Sequence, residues 1–377
     1  MRTLFLSTML LSGMFSPANT AAQPFPLIKG TVLYAPKSDN TYTRRSEGCF
    51  LKLANGNILH LYGRFKASYL DHSAADLVKT VISPDGQKIL SGETVVIPGE
   101  ASGNVMVPSL LRLKDGRILL IYLEKTRIAG TIVCRVVMRY STDEGKSWTP
   151  RRYITQSPVY CVILNAAAIQ LKSGRILIPV SQCRYKNDRN LDTCGVVYCL
   201  YSDDSGKSWK ESKSVLFPPD RTESNAGYQE PSAVEVSANH LLMYMRSDLG
   251  YLWKTVSKDG GITWSKPKLA PNFPVVIAPP KIAKLKDGRL VLIFNQNPNV
   301  AKPLKNNRNR STLVMKTSSD GGKSWGNAKL IEPVTSRHYS YPALIGTSDG
   351  AYLLSYYMFD KKIGNYWHLT VKRIFID

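Results

Sequence analysis

Along this chain, apolar and polar positions alternate in short runs, and the runs recur. "ILHLYGR" follows the turn "LANGN", "ILLIYL" follows "LKDGR", "ILIPVS" follows "LKSGR" and "LVLIFN" follows "LKDGR". "AYLLSYY" follows "GTSDG", and "HLLMYMR" follows "VSAN". A turn followed by an alternating apolar stretch is the signature of a β-hairpin. The turn residue is Gly56, Gly116, Gly174, Gly288 or Gly350, with Asn239 in the weakest copy, so the copies fall 49 to 65 residues apart. No segment holds a helical period of apolar positions, so the pattern predicts strands throughout.

A second pattern interleaves with the first. "YSTDEGKSW" at 140–148 returns as "YSDDSGKSW" at 201–209, "VSKDGGITW" at 256–264 and "TSSDGGKSW" at 317–325. "ISPDGQKIL" at 82–90 is a degenerate fifth copy with Ser83 and Asp85 but no tryptophan. Repetition at this period, with several short strands per repeat, predicts four-stranded units arranged radially. Six repeats predict an all-β, six-bladed β-propeller from about residue 26 to 377, with "YWHLTVKRIFID" closing the ring against an early strand. In each polar turn the aspartate can accept hydrogen bonds from backbone amides, and the glycine can take a positive φ. The tryptophan is then expected to pack on its own blade. Asp143, Asp204, Asp259 and Asp320 are therefore read as structural staples rather than catalysts.

Composition narrows the class. The chain has 377 residues, 43% hydrophobic and 10% aromatic, enough for a sizeable core and unlike a disordered chain. Its first residues, "MRTLFLSTMLLSGMFSPANTAAQPFPL", combine a basic start, an apolar stretch and small residues at Thr20-Ala21-Ala22. That predicts a secretory signal peptide over residues 1–22 and a secreted or periplasmic domain over 23–377. The apolar stretch is too short to span a bilayer, and no later one is long enough, so no membrane span is expected. The six cysteines contain no CxxC pair, so no metal site is expected; Cys183, Cys194 and Cys199 are near enough in sequence to pair locally. A net charge of +22 points to an anionic partner, either acidic glycans or nucleic acid. The absence of a nucleic-acid motif and the export signal argue against nucleic acid.

The polar turns resemble the Asp-box, or bacterial neuraminidase repeat, of the sialidase superfamily, and the resemblance spans nearly the whole chain after the leader. It implies a retaining exo-glycosidase that removes terminal sialic acid, working as a monomer without cofactor. In "GYQEPSAVEVSANHLLMYMRSD" the family pattern of glutamate, strand, turn, strand and arginine falls on Glu230 and Arg246. It implies Glu230 as base to a tyrosine, and Arg246 as ligand of the substrate carboxylate. In "RSTLVMKTSSDGGKSW" a second substrate-binding arginine falls on Arg310, with Arg308 as competitor on the same face of an expected strand. In "HYSYPALIGTSDG" the nucleophilic tyrosine falls on Tyr341, with Tyr339 as the alternative frame. The acid/base aspartate falls on Asp71, 12 residues before Ser83, with Asp76 as rival and His72 as a neighbour able to tune it. The chain departs from the family at the first arginine. Arg-Ile-Pro is replaced by "TRRSEG", which leaves Arg44 or Arg45 to complete the clamp and adds Glu47.

The chemistry suits these residue types. Arginines bind a sugar carboxylate through charge-assisted, partly bidentate bonds. A carboxylate nucleophile would be repelled by that same carboxylate; a neutral tyrosine is not, and sialidases are the known exception of this kind among glycosidases. A phenol, with a pKa near ~10, needs a base, and the leaving oxygen needs an acid. Two alternatives stand beside this reading: a glycoside hydrolase for another acidic sugar, because Arg-Ile-Pro is missing, and a glycan-binding propeller without activity.

Overall fold

The computed structural model describes residues 24–99, 103–185, 190–219, 223–297, 303–360, 362 and 364–377. The predicted leader, residues 1–22, lies outside them. The described residues form 25 β-strands and no α-helix. Among the described residues no helix is long and apolar enough to cross a membrane.

The strands follow one another as antiparallel meanders of four. The first is Arg44–Lys52, Ile58–Phe65, Ala75–Ile82 and Thr94–Ile97. The second is Asn104–Arg112, Ile118–Ile128, Thr131–Ser141 and Arg152–Tyr153. In the third, an interrupted strand, Tyr160–Val162 and Ile169–Gln170, is followed by Ile176–Tyr185, Leu191–Ser202 and Lys210–Glu211. The fourth is Gln229–Ser237, His240–Arg246, Tyr251–Ser257 and Lys268–Pro274. The fifth is Lys281–Lys284, Leu290–Asn295, Leu313–Ser318 and Lys329–Leu330. The sixth takes His338–Gly346, Tyr352–Phe359 and Trp367–Ile374, and its outer strand is Gly30–Tyr34 from the other end of the described chain.

Consecutive meanders touch at the start of their first strands. Single parallel bridges link Arg44 to Trp367, Ala75 to Asn104, Cys134 to Tyr160 and Gly195 to Gly227. The hydrophobic clusters lie in the seams. One joins the first and second meanders through Leu61, Leu77, Leu110 and Leu120. Others join second to third, third to fourth, fourth to fifth and fifth to sixth. Another joins sixth to first through Leu353, Val371, Phe50 and Ile58. A sheet is apolar on both faces only when both are covered, and here each meander has a neighbour on either side.

The polar turns are built as staples. Ser141 Oγ donates to Asp143 Oδ1 at 2.8 Å, and Asp143 accepts the Ser147 amide at 2.9 Å and the Ser147 hydroxyl at 2.6 Å. The same set recurs around Asp204, Asp259 and Asp320. Trp264 donates to the Gly261 carbonyl of its own turn, but Trp209 and Trp325 reach across to the preceding meander instead of staying on their own. Trp209 donates to Met138 Sδ of the preceding meander at 3.3 Å, and Trp325 meets Tyr244 and Phe273 of the preceding one edge to face. An indole is too large for a two-layer seam to cover from one side alone, so it fills the gap between neighbours. The hairpin glycines have positive φ, and Asn239, in the copy without glycine, takes φ 60° in the same turn. All six cysteines are free and buried, so Cys183, Cys194 and Cys199 do not pair.

Candidate active site

The first strands carry the site because they break their own alternation. Register slips fall between Ser46 and Cys49, Met106 and Ser109, Gln229 and Ser232, and Ser340 and Ala343. A left-handed residue occupies each slip: Glu47 at φ 60°, Val107 at 58°, Glu230 at 46° and Tyr341 at 57°. The third meander's first strand is interrupted instead, with Ala166 at φ 51°. A bulge re-aims a side chain out of the pleat, and a non-glycine residue in this region costs roughly 1–3 kcal/mol that the surroundings must offset. The result is that Glu47, Glu230 and Tyr341, from three different meanders, line one cavity of about 60 Å³.

Tyr341 donates its hydroxyl to Glu230 Oε1, and Arg246 Nη1 donates to Glu230 Oε2. Glu230 is thus shared between a phenol and a guanidinium. Burial pushes the Tyr341 phenol well above its ordinary value; the Glu230 carboxylate adds to that, while Arg310 and Arg246 oppose it. Arg310 stands 5.9 Å from the Tyr341 ring, fixed by Nε to the Ile277 carbonyl at 3.0 Å and Nη1 to the Tyr357 hydroxyl at 2.8 Å. Arg246 Nε is buried without a partner. Fixed guanidinium groups with unused N–H bonds suit a planar anion.

On the opposite side, Arg44 is 2% exposed and lies between the Phe65 and Trp367 rings. It donates to Glu47, to Ser46 Oγ at 2.7 Å, to the Tyr69 carbonyl at 3.1 Å and to Asp71 Oδ1 at 2.6 Å. Glu47 is 1% exposed, and burial raises its carboxyl above the usual range despite Arg44. Asp71 lies on the loop between the first meander's second and third strands, with its side chain 57% exposed. Burial would raise its carboxyl, but Arg44 and Lys125 together outweigh that and bring it down to about 2. The Asp71 carbonyl accepts Asn104 Nδ2 at 2.7 Å and Lys125 Nζ at 3.0 Å, which fixes the loop.

Six of the seven residues singled out from sequence therefore lie in one cluster: Arg44, Asp71, Glu230, Arg246, Arg310 and Tyr341. Arg45 does not join them. It points the other way along its strand, to Glu93 at 3.0 Å and the Lys37 carbonyl at 2.9 Å. Asp76 is a buried structural acid on Arg64, Lys66 and the Gly99 amide. Tyr339 packs edge to face on Tyr356 in the fifth-to-sixth seam. Arg308 is exposed, and residues 308–310 are not in a strand, so the expected shared face does not exist. Glu47, Asn104, Lys125 and Asn165 were not assigned roles from sequence. A faint signal was present: Glu47-Gly48, Val107-Pro108, Glu230-Pro231 and Tyr341-Pro342 each set a bulged residue before a glycine or proline that opens an apolar strand.

Residues 78–354, well over half the chain, match the BNR repeat-like domain family. The chain belongs to that family, within the sialidase superfamily. A sialidase of Bacteroides fragilis is 29% identical over 223 residues, 56% of this chain and 37% of that protein. The anhydrosialidase of Macrobdella decora is 25% identical over 251 residues, 62% of this chain and 31% of that protein. The chain thus spans about a third of the length of these relatives. Among solved structures, a protein of unknown function from Dyadobacter fermentans has a TM-score of 0.70 at 20% identity, covering 93% of this chain and all 100% of that one. The intramolecular trans-sialidase of Ruminococcus gnavus, solved with oseltamivir carboxylate, has a TM-score of 0.70 at 15% identity, covering 92% of this chain and 97% of that one. These likenesses establish a β-propeller-like fold for the BNR repeat chain.

Proposed function

We propose that this BNR repeat protein is an exported, retaining exo-glycosidase of the sialidase type, acting on glycans with a terminal sialic acid. The observation that carries the reading is Glu230, shared between the Tyr341 hydroxyl and Arg246, beside Arg310 and facing Arg44. Residues 23–377 form its six-bladed propeller. Support for the ring comes from the strand Gly30–Tyr34 pairing with Trp367–Ile374, and from the sixth-to-first hydrophobic seam. A further cavity lined by Phe50, Leu110, Ile169, Ala233, Lys281 and Ala343, one from each meander, fits the bore of such a ring.

In this reading Arg44, Arg246 and Arg310 bind the sugar carboxylate. Glu230 takes the Tyr341 proton as the phenolate oxygen bonds to the anomeric carbon, and the glycosidic bond breaks. Asp71 gives its proton to the leaving oxygen. It then accepts one from water, which attacks the anomeric carbon and releases Tyr341, reprotonated from Glu230. With Arg44 on its carboxylate, Asp71 is a poor proton donor in the empty site. A substrate carboxylate that takes Arg44 removes that attraction and shields Asp71 from water; both changes raise its pKa toward a useful value.

A second reading keeps the reaction and changes the sugar. Glu47, the extra acidic residue in the "TRRSEG" that replaces Arg-Ile-Pro, is buried beside Arg44 and puts a carboxylate next to the clamp. That favours an acidic sugar with an additional donor group at that point. Release of fluorophore from a panel of aryl glycosides by purified protein tests both readings. Turnover confined to the sialoside supports the first, turnover confined to another acidic sugar supports the second, and none at all leaves a glycan-binding propeller.

A further inference from the structure

We infer that Asn165 is a positioning residue for the proposed nucleophile Tyr341; the inference rests on the sialidase-type reading of the site. Asn165 is wholly buried in the stretch that interrupts the third meander's first strand. Its Nδ2 donates to the Gly48 carbonyl at 2.7 Å and to the Tyr341 carbonyl at 3.3 Å. Gly48 follows Glu47, and Glu47 and Tyr341 are both left-handed bulge residues whose side chains line the cavity. One amide group therefore holds the carbonyl of the strained Tyr341 and that of Gly48, the residue after the strained Glu47, from two other meanders. Relaxing Tyr341 or Glu47 toward an ordinary strand conformation moves the Tyr341 or the Gly48 carbonyl and breaks that shared contact.

The rest of the stretch is anchored in the same way. The Ala166 amide donates to the Pro108 carbonyl at 2.9 Å, just after the bulged Val107. The Ala168 amide donates to Ser109 Oγ at 3.0 Å. The Ala166 carbonyl accepts the buried Lys281 Nζ from the fifth meander. Residues 165–168 thus tie the first, second and sixth bulges to the fifth meander. Asn165 Oδ1, meanwhile, is buried with no partner. An apolar residue would avoid that unmet acceptor, so the amide is retained for its donor half. Misplacing a nucleophile by about 1 Å lowers rate steeply without loosening carboxylate binding elsewhere in the site.

The test compares wild type with Asn165→Ala and with Asn165→Asp, which keeps the shape and turns an acceptor toward both carbonyls. The expected result is a kcat on an aryl sialoside lower by about 10- to 100-fold in both variants with KM close to wild type; Tm stays close to wild type in Asn165→Ala and falls in Asn165→Asp, whose carboxyl is buried against two carbonyls. Amide hydrogen exchange should rise in residues 46–50 and 338–346 and stay unchanged in the second meander's Ile118–Ile128 strand. Unchanged kcat and exchange, or a Tm drop in Asn165→Ala with exchange rising evenly along the chain, overturns the inference. If wild type itself hydrolyses no sialoside, the proposed function fails. The exchange pattern alone then decides whether Asn165 holds the two bulges.

Discussion

At Tyr341 one hydroxyl meets one carboxylate, and the phenol's raised pKa keeps it neutral. Tyr341→Phe should abolish turnover of an activated aryl sialoside. Tyr339→Phe, in an apolar seam, should leave most of it; comparable losses in the two variants would count against Tyr341 as nucleophile. Asp71→Ala should slow poor leaving groups far more than good ones, since only the former need a proton. Equal losses for a phenyl and a nitrophenyl leaving group would remove Asp71 from the acid role. Arg44 and Arg45 make a further pair. Arg44→Lys should raise KM for the acidic substrate sharply, because a point charge cannot reproduce a planar fork, whereas Arg45→Lys should change it little. Steady-state kinetics on the two variants separates the clamp from the neighbouring ion-pair network.

Among the elements, the polar turns show how a loop can be fixed without a core of its own. Hydroxyls of Ser147, Ser208 and Ser324 donate to Asp143, Asp204 and Asp320 and hold these carboxyls well below the usual range. A carboxyl lowered by folding stabilises the native state above its unfolded pKa of ~3.9, and that contribution is lost as pH falls below it toward the folded value. Asp320→Asn should therefore lower Tm at pH 7, and the gap to wild type should narrow as pH drops from about 4 toward 2. A gap independent of pH over that range would mean that the carboxylate charge is not what holds the turn. The bulges are the other device at this scale. Because strand side chains alternate faces, Tyr339 and Tyr341 would share a face in a regular strand; the slip between Ser340 and Ala343 sends one to the seam and the other to the cavity.

Over the whole molecule, Lys281 joins the site to the cavity on its other side. Its ammonium is buried below the bulges, and burial brings its pKa down to about 8. The unfolded value is ~10.4, so between pH 8 and that value the unfolded chain binds more protons and stability rises with pH. The burial penalty is fully present below pH 8. Lys281→Met should remove this rise, which chemical denaturation at pH 7 and pH 10 measures; an unchanged difference between the two pH values would show that Lys281 does not titrate there. The net charge of +22 acts at longer range. It should make kcat/KM for an acidic glycan fall as ionic strength rises, mainly through association.

Sequence by itself determined the strands, the six repeats and the residue types of the site, because hairpin turns and period-two alternation are local in the chain. It also determined that Asp143, Asp204, Asp259 and Asp320 serve the turns, since each carries its own hydrogen-bond partners within four residues. It left Arg44 and Arg45 open, because neighbours on a strand face opposite ways and only the adjoining meanders say which face is which. Tertiary structure decided that choice by setting Asp71 and the Trp367 ring against Arg44 and Glu93 against Arg45. It gave Glu47, which the sequence marks only as a departure, its place in the cavity, and it alone revealed Lys125 and Asn165. The partners of these last two lie far away in sequence: Lys125 reaches Asp71 across 54 positions and Asn165 reaches Tyr341 across 176. No local pattern encodes a contact that exists only once separate meanders pack side by side.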